Sequence, residues 1–211
     1  MDLYFSPLAC SMASRIALYE AGASARFIEV DSKTKRTLSG DDFFVINPLG
    51  LVPAIRTDEG DVLTENAAIL QYIADRFQPG GLAPREGMAR SRLQQWLSFI
   101  GTELQKVLFT PLFDAKMPEQ ARARALEKGD ARLARLDAHL SDREFVLDDF
   151  SVADAYLFTV LNWNLATPVD LGRWRAIQGY YEHLKQRSSV ARALKEELEL
   201  YAVEQARHKA A

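Results

Sequence analysis

The 211-residue chain predicts an α/β unit followed by an all-helical unit, and three observations carry that reading. Strand-like and helix-like patterns alternate through the first 78 or so residues. The strongest breaker cluster in the sequence, Pro79-Gly80-Gly81-Leu82-Ala83-Pro84, follows. Beyond it strand patterns vanish and apolar residues recur only at helical steps. The expected organisation is therefore an α/β domain over 1–78, a linker over 79–84 and a helical domain over 85–211.

Leu3-Tyr4-Phe5 is a short β-prone run stopped by Ser6-Pro7. Ile16, Tyr19 and Glu20 lie on a helix pattern that ends at Gly22, a favourable residue just past a helix C-terminus. Phe27-Ile28-Glu29-Val30 is a second strand. Val52-Pro53-Ala54-Ile55 and Val62-Leu63 flank Asp58-Glu59-Gly60-Asp61, which reads as a hairpin turn. Ala68, Ile69, Tyr72, Ile73 and Phe77 then mark a helix starting near Ala67. The order βαβ then ββα makes one α/β unit. In the second half, Leu93, Trp96, Leu97, Ile100, Leu104, Val107 and Leu108 form an apolar helix stripe. Further helices are expected from Pro118, around Val152–Leu161 (largely apolar and so central), around Trp174–Leu184 and around Leu194–Tyr201.

Composition excludes several classes. At 48% hydrophobic and 26% charged residues with net charge −3, the chain is too apolar to be disordered and too acidic for general nucleic-acid affinity. No apolar run approaches the roughly 18 residues of a membrane span, and the N-terminus lacks a signal-peptide pattern. A cytoplasmic protein with no membrane or nucleic-acid partner is expected. One cysteine excludes internal disulfides, and His139, His183 and His208 lack metal-ligand spacing, so no metal is expected. Residues 1–80 carry net −4 and residues 81–211 net +1. Arg122, Arg124, Lys128, Arg132 and Arg135 read as a solvated helix face.

A few positions could carry chemistry. Cys10 stands at the entry to the first helix, where unpaired N–H groups and the dipole favour a thiolate. A dithiol redox loop would need a second cysteine at Ala13, so any redox role must use an external thiol. Alternatively Cys10 is a small buried hydrophobe. Val52-Pro53 opens a strand either as a cis peptide, leaving the Val52 backbone free for an extended ligand, or as an edge-strand proline. At Thr64-Glu65-Asn66 a side chain caps the next helix, or the helix N-terminus receives a ligand carboxylate while Glu65 meets an ammonium. Ser151-Val152-Ala153-Asp154 has the form of a capping box, a structural feature.

Together these pieces resemble one family. The single cysteine in SPLACSMASRIAL, with NPLGLVPAI, LTENAAILQYIADRF and FSVADAYLFTVLNW, is similar to cytosolic glutathione transferases, and VDSKTKRTLSGDDFFVINP to the bacterial Beta class. The resemblance spans essentially the whole chain. It implies the glutathione transferase fold: an α/β thioredoxin-like N-terminal domain plus an all-α C-terminal domain, assembled as a homodimer. It also implies glutathione as co-substrate and an apolar electrophilic small molecule, taken up between the domains, in a detoxification reaction.

By position, the resemblance assigns Cys10 to the glutathione sulfur and Lys35 to the glycine carboxylate. It assigns the Val52 backbone before cis-Pro53 to the cysteinyl part, and Glu65 with Asn66 to the γ-glutamyl head. Ser11 is either a hydroxyl donor to the sulfur or a helix N-cap, and Lys35 without the resemblance reads as a solvated lysine. Ser98 and Gln105 stand where the Beta class typically carries Asn and His. With Thr102 they are spaced i, i+4, i+7, one polar stripe on a helix, either at the site or simply solvated. The expected activity is attack of a glutathione thiolate on an electrophile, or glutathione-dependent thiol–disulfide exchange. A non-catalytic glutathione- or partner-binding protein on the same fold is the alternative, and a dehalogenase or isomerase a third reading.

Overall fold

The structure, a computed structural model, describes residues 1–210. The first compact unit comprises Met1–Leu82 and the helix that begins at Ser188, and the second comprises Ala83–Arg187. In the first unit, β1 (Asp2–Phe5), β2 (Arg26–Glu29), β3 (Ala54–Arg56) and β4 (Val62–Thr64) form a sheet in the order β2-β1-β3-β4. β1 runs parallel to β2 and antiparallel to β3, and β3 runs antiparallel to β4. The register puts Tyr4 opposite both Ile28 and Ala54. On that face Tyr4, Val30, Phe43 and Ala54 form a buried cluster, which a short 3₁₀ turn, Phe43–Val45, helps to close. All of Leu3, Tyr4 and Phe5 are buried, as expected for a central strand covered on both faces.

Two helices complete the α/β pattern, α1 (Met12–Glu20) and α2 (Asn66–Phe77), and they pack on one another. Helix α1 ends as its sequence requires. Gly22 takes φ +62°, letting its N–H reach the Tyr19 carbonyl at 3.1 Å and the Ala23 N–H reach Leu18 at 2.9 Å. These two bonds satisfy carbonyls that a helix end otherwise leaves without partners.

The expected helical domain over 85–211 is divided in the structure, because α8 (Ser188–Ala210) packs on α1. Polar contacts to the rest of the first unit run along its length. Ser189 donates to Glu20, Glu197 accepts from Arg15 and from the Leu8 N–H, and Glu204 accepts from Ser32. Near its C-terminus Arg207 pairs with Glu29 and His208 with Asp31. Its apolar residues Val190, Ala193 and Leu194 are buried as well.

The second unit is all-helical. α3 (Gly87–Phe99) passes into a π-helical stretch, Ile100–Phe109, and then into α4 (Thr110–Phe113). The π geometry is visible at Thr110, whose N–H and hydroxyl both reach back five residues to the Gln105 carbonyl, the hydroxyl at 2.8 Å. Nothing in the apolar spacing announces this wider turn. It alters the expected polar stripe, because i, i+4, i+7 residues align only at the α-helical pitch. Ser98 and Thr102 are exposed while Gln105 is half-buried. α5 (Glu119–Leu140) follows directly after Pro118, with Arg124, Lys128 and Arg135 exposed. Arg132 is half-buried and paired with Glu103. Gly129 is fixed by a close approach: a Cβ there would lie 2.4 Å from Leu108 Cδ1.

All ten residues of α6 (Val152–Leu161) are buried, so the apolar helix is central, and α7 (Arg175–Lys185) packs on it. The capping box is present. Asp154 accepts from the Ser151 N–H at 2.8 Å, the Ser151 hydroxyl at 2.9 Å, the Val146 N–H at 2.7 Å and the Tyr180 hydroxyl at 2.8 Å. Its complete burial raises its pKa, while these donors pull the other way. No helix among the described residues is long and apolar enough to cross a membrane.

Ser151→Ala should lower the stability of the protein by about 0.5–2 kcal/mol, the usual worth of an N-cap. Asp154→Ala should cost more, since it strands two buried N–H groups and a buried phenol. Denaturant unfolding measures both, and equal losses would show that the capping bond alone matters at this corner.

Candidate functional site

In the sheet unit the site residues gather where β1 turns into α1. The chain leaves β1 at Ser6 and makes a turn closed by the Ala9 N–H on the Ser6 carbonyl at 3.1 Å. Leu8, within that turn, has φ +58°. Cys10 follows, half-buried, and its thiol donates to the Val52 carbonyl at 3.2 Å. The Val52-Pro53 peptide is cis. Cys10 and the Val52 backbone are thus adjacent, but the Val52 carbonyl expected to be open to a ligand is engaged by the thiol. That contact is made by a thiol and lost by a thiolate, since only the former has a proton to donate.

Ser11 is fully buried and ties the same loop internally. Its hydroxyl donates to the Ser6 carbonyl at 3.2 Å and accepts from the Ser6 N–H at 3.3 Å. It makes no N-cap bond to α1. The expected N-cap role therefore gives way to a brace across the turn.

Asn66, the first residue of α2, is buried, with its side chain turned inward. Its amide donates to the Cys10 carbonyl at 3.1 Å, and its oxygen accepts from the Ser14 hydroxyl at 3.2 Å. The side chain expected to touch a ligand instead joins α2 to α1 and to the cysteine loop. Glu65 precedes it, exposed, at φ +67° and with no side-chain cap bond. It stands beside the first N–H groups of α2, which helix geometry leaves without intrahelical acceptors.

Lys35 also has a positive φ, +56°. Its N–H donates to the Asp31 carbonyl at 3.0 Å and its carbonyl accepts from the Phe43 N–H at 3.0 Å. The loop is built on the Asp31 carboxylate, which accepts from the Lys33 and Thr34 N–H groups at 3.0 and 2.8 Å. Burial works against that charge, but these donors and His208 outweigh it and hold Asp31 well below the usual carboxylate range. Leu8, Lys35 and Glu65 are the non-glycine residues with positive φ among those described. Such strain clusters where surrounding structure over-determines a site.

Ser98 and Gln105 belong to the helical unit. The Gln105 side-chain oxygen accepts from the Tyr156 hydroxyl at 2.6 Å, a contact between the π-helical stretch and α6 that the sequence pattern did not indicate. Among the described residues one group could supply metal ligands: Asp31, Glu204 and His208 place their ligand atoms within 4.8 Å of one another. Those atoms are already occupied, His208 on Asp31 at 2.8 Å and Glu204 on the Ser32 hydroxyl at 2.7 Å. A cavity of about 890 Å³ in the same unit is lined by Tyr4, Phe27, Leu38, Val45 and Arg56 among others, and includes none of Cys10, Lys35, Val52 or Glu65.

Asn66→Ala should destabilise the protein by about 1–3 kcal/mol, because it strands the buried Ser14 hydroxyl and removes one donor from the Cys10 carbonyl. Unfolding in urea measures it; an unchanged midpoint would show that α2 needs no side-chain tie to the loop.

Comparison with known proteins fits this architecture. The N-terminal domain of glutathione S-transferases matches residues 2–75, and the C-terminal domain of the same family matches residues 99–188. The glutathione S-transferase GstA of Escherichia coli O157:H7 is 39% identical over 199 residues, covering 93% of this chain and 98% of that protein. A sphingomonad glutathione S-transferase solved in complex with glutathione is 44% identical, with a TM-score of 0.89 over 93% of this chain and 98% of that one. The beta class enzyme of Sphingomonas chungbukensis is 43% identical, with the same TM-score and coverage. On sequence and on fold alike, the chain belongs to the glutathione S-transferase family.

Proposed function

We propose that the protein is a glutathione transferase whose glutathione lies along the Cys10–Val52–Glu65 edge of the sheet unit. The observation that carries this reading is the meeting of the Cys10 thiol with the Val52 backbone at a cis-proline, with the open N-terminus of α2 and exposed Glu65 following in the chain. That arrangement offers a sulfur partner, backbone groups for an extended peptide, N–H groups for a carboxylate and a carboxylate for an ammonium. Glutathione carries all four complements. Asn66 holds the γ-glutamyl end through its backbone N–H, its side chain being spent on Cys10 and Ser14. Lys35 takes the glycine carboxylate, on a loop fixed at both ends.

In the reaction, the glutathione sulfur attacks an electrophilic carbon of an apolar small molecule. The C–S bond forms, the leaving group departs with its bonding pair, and the thiol proton passes to solvent. Thiol–disulfide exchange through a Cys10–glutathione disulfide is the second chemistry open to the same sulfur pair. We assign Ser98 and Gln105 no proton-transfer role, since neither titrates near neutral pH. A cytoplasmic detoxification role suits a chain with one cysteine and a reduced thiol as its working group.

Turnover of an aromatic halide with glutathione, together with calorimetric titration, tests this. Glu65→Ala should weaken glutathione binding roughly ten- to a hundredfold, the worth of a charge-assisted hydrogen bond, in a folded protein. Unchanged affinity would remove Glu65 from the site. Oxidised glutathione should add one glutathione per chain at Cys10 by mass spectrometry, and an inert thiol would return Cys10 to a packing role.

A two-fold homodimer is part of the proposal. Its support is the apolar exposure at Phe44, Val45, Leu49 and Leu51, respectively 47%, 81%, 69% and 49% exposed in the single chain. Patches of that kind usually mark an interface. Sedimentation should give twice the 23.7 kDa chain mass at micromolar concentration; a monomer would refute the assembly.

A further inference from the structure

The turn that carries Cys10 is held from outside by a residue of α8. Glu197 is fully buried, and its carboxylate accepts from the Leu8 N–H at 2.7 Å and from Arg15 Nε at 2.9 Å. Leu8 is the residue at φ +58°, two positions before Cys10. A side-chain-bearing residue stays in the left-handed region only where its surroundings over-determine it. Here one such contact is a charge-assisted bond to the N–H of the strained residue itself, the stronger kind of hydrogen bond.

Arg15 is in turn immobilised. Its guanidinium lies over the rings of Phe5 at 4.4 Å and Phe27 at 4.0 Å, and it is 3% exposed. Glu196 accepts from it at 3.2 Å and also from Tyr19 and Arg192. The groups that act on Glu197 are Arg15 of α1, the Leu8 N–H of the loop and Glu196 of α8, while Tyr19 and Arg192 bond to Glu196. A rigid cation on a rigid sheet fixes the carboxylate, and the carboxylate fixes the loop.

We propose that Glu197 is a positioning residue for the glutathione reaction, holding the Leu8–Cys10 turn so that the Cys10 sulfur is presented beside the Val52 backbone. The proposal rests on the reading that Cys10 faces the glutathione sulfur. It extends that reading to a residue 187 positions away in sequence that touches no substrate. Protonation of Glu197 removes the charge from the bond to Leu8 and weakens the hold. Burial pushes this carboxyl up to about 7, against the pull of Arg15 and of the Leu8 N–H. The anchor therefore strengthens as pH rises through neutrality.

The test compares wild type with Glu197→Gln, which keeps the shape and removes the charge, over pH 5.5 to 9. Two rates are followed: alkylation of Cys10 by iodoacetamide without glutathione, and turnover with glutathione. The two proteins should coincide below about pH 6, where both carry a neutral side chain. They should separate above about pH 8, with turnover of the variant lower by about tenfold and its glutathione KM raised. A difference of constant size at every pH would mark a general packing loss and overturn the proposal, as would identical profiles in a folded variant. If the variant does not fold, the wild-type alkylation profile decides, since a single ionisation in it overturns the proposal. If the profiles diverge as expected while Cys10→Ala leaves turnover and glutathione affinity intact, the anchor on the loop stands and the role of Cys10 in the reaction falls.

Discussion

Among the described residues, the backbone of the sheet unit passes through the left-handed region at three side-chain-bearing residues, Leu8, Lys35 and Glu65, each on a connection beside the proposed site. Each has its own restraint. Leu8 is held by a buried carboxylate of α8, and Lys35 by backbone bonds to Asp31 and Phe43. Glu65 sits where α2 begins, its carbonyl accepting from the Ala68 and Ile69 N–H groups at 3.0 Å each. Strain of this kind costs on the order of 1–3 kcal/mol per residue. The return is geometric: a thiol, a strand backbone and a helix N-terminus are all presented from short connections between rigid elements.

Much of the fold could be read from the chain because its signals are local. The β-prone run in β1, the glycine after α1, the hairpin turn before β4, the apolar face of α2 and the apolar run of α6 each specify an element without help from afar. The capping box at Ser151 is equally local and is present in the structure. Cys10, Val52 and Glu65 stood out for the same reason: unusual residue types at the ends of recognisable elements.

What could not be read depends on distance or on a single hydrogen bond. Asn66 was expected to face a ligand, but nothing in neighbouring residues tells that Ser14 and the Cys10 carbonyl lie beneath it. Ser11 was expected at the sulfur or at a cap, and its bonds to Ser6 arise from the path of the turn. Glu197 looks like any glutamate on a charged helix, although it is fully buried. The one available signal was a mismatch: it falls four residues after Ala193 and three after Leu194, on the face that the apolar residues bury. The π-helical turn is hidden because its apolar residues still recur at steps of three and four.

The place of α8 has a consequence for how the polypeptide acquires its shape. The sheet unit is discontinuous: its first 82 residues are completed by a helix that begins only at Ser188. During synthesis from the N-terminus, Arg15 and the Leu8 turn are made long before Glu197, so they wait without their buried partner while the intervening helices emerge. Such widely separated contacts slow folding, because loop-closure entropy is spent before the contact forms. The helices of residues 83–187, whose contacts are nearer in sequence, can consolidate first, and the cysteine-bearing loop becomes ordered among the last parts of the molecule. A nascent chain thus carries its reactive thiol in an unfinished setting until the final helix docks.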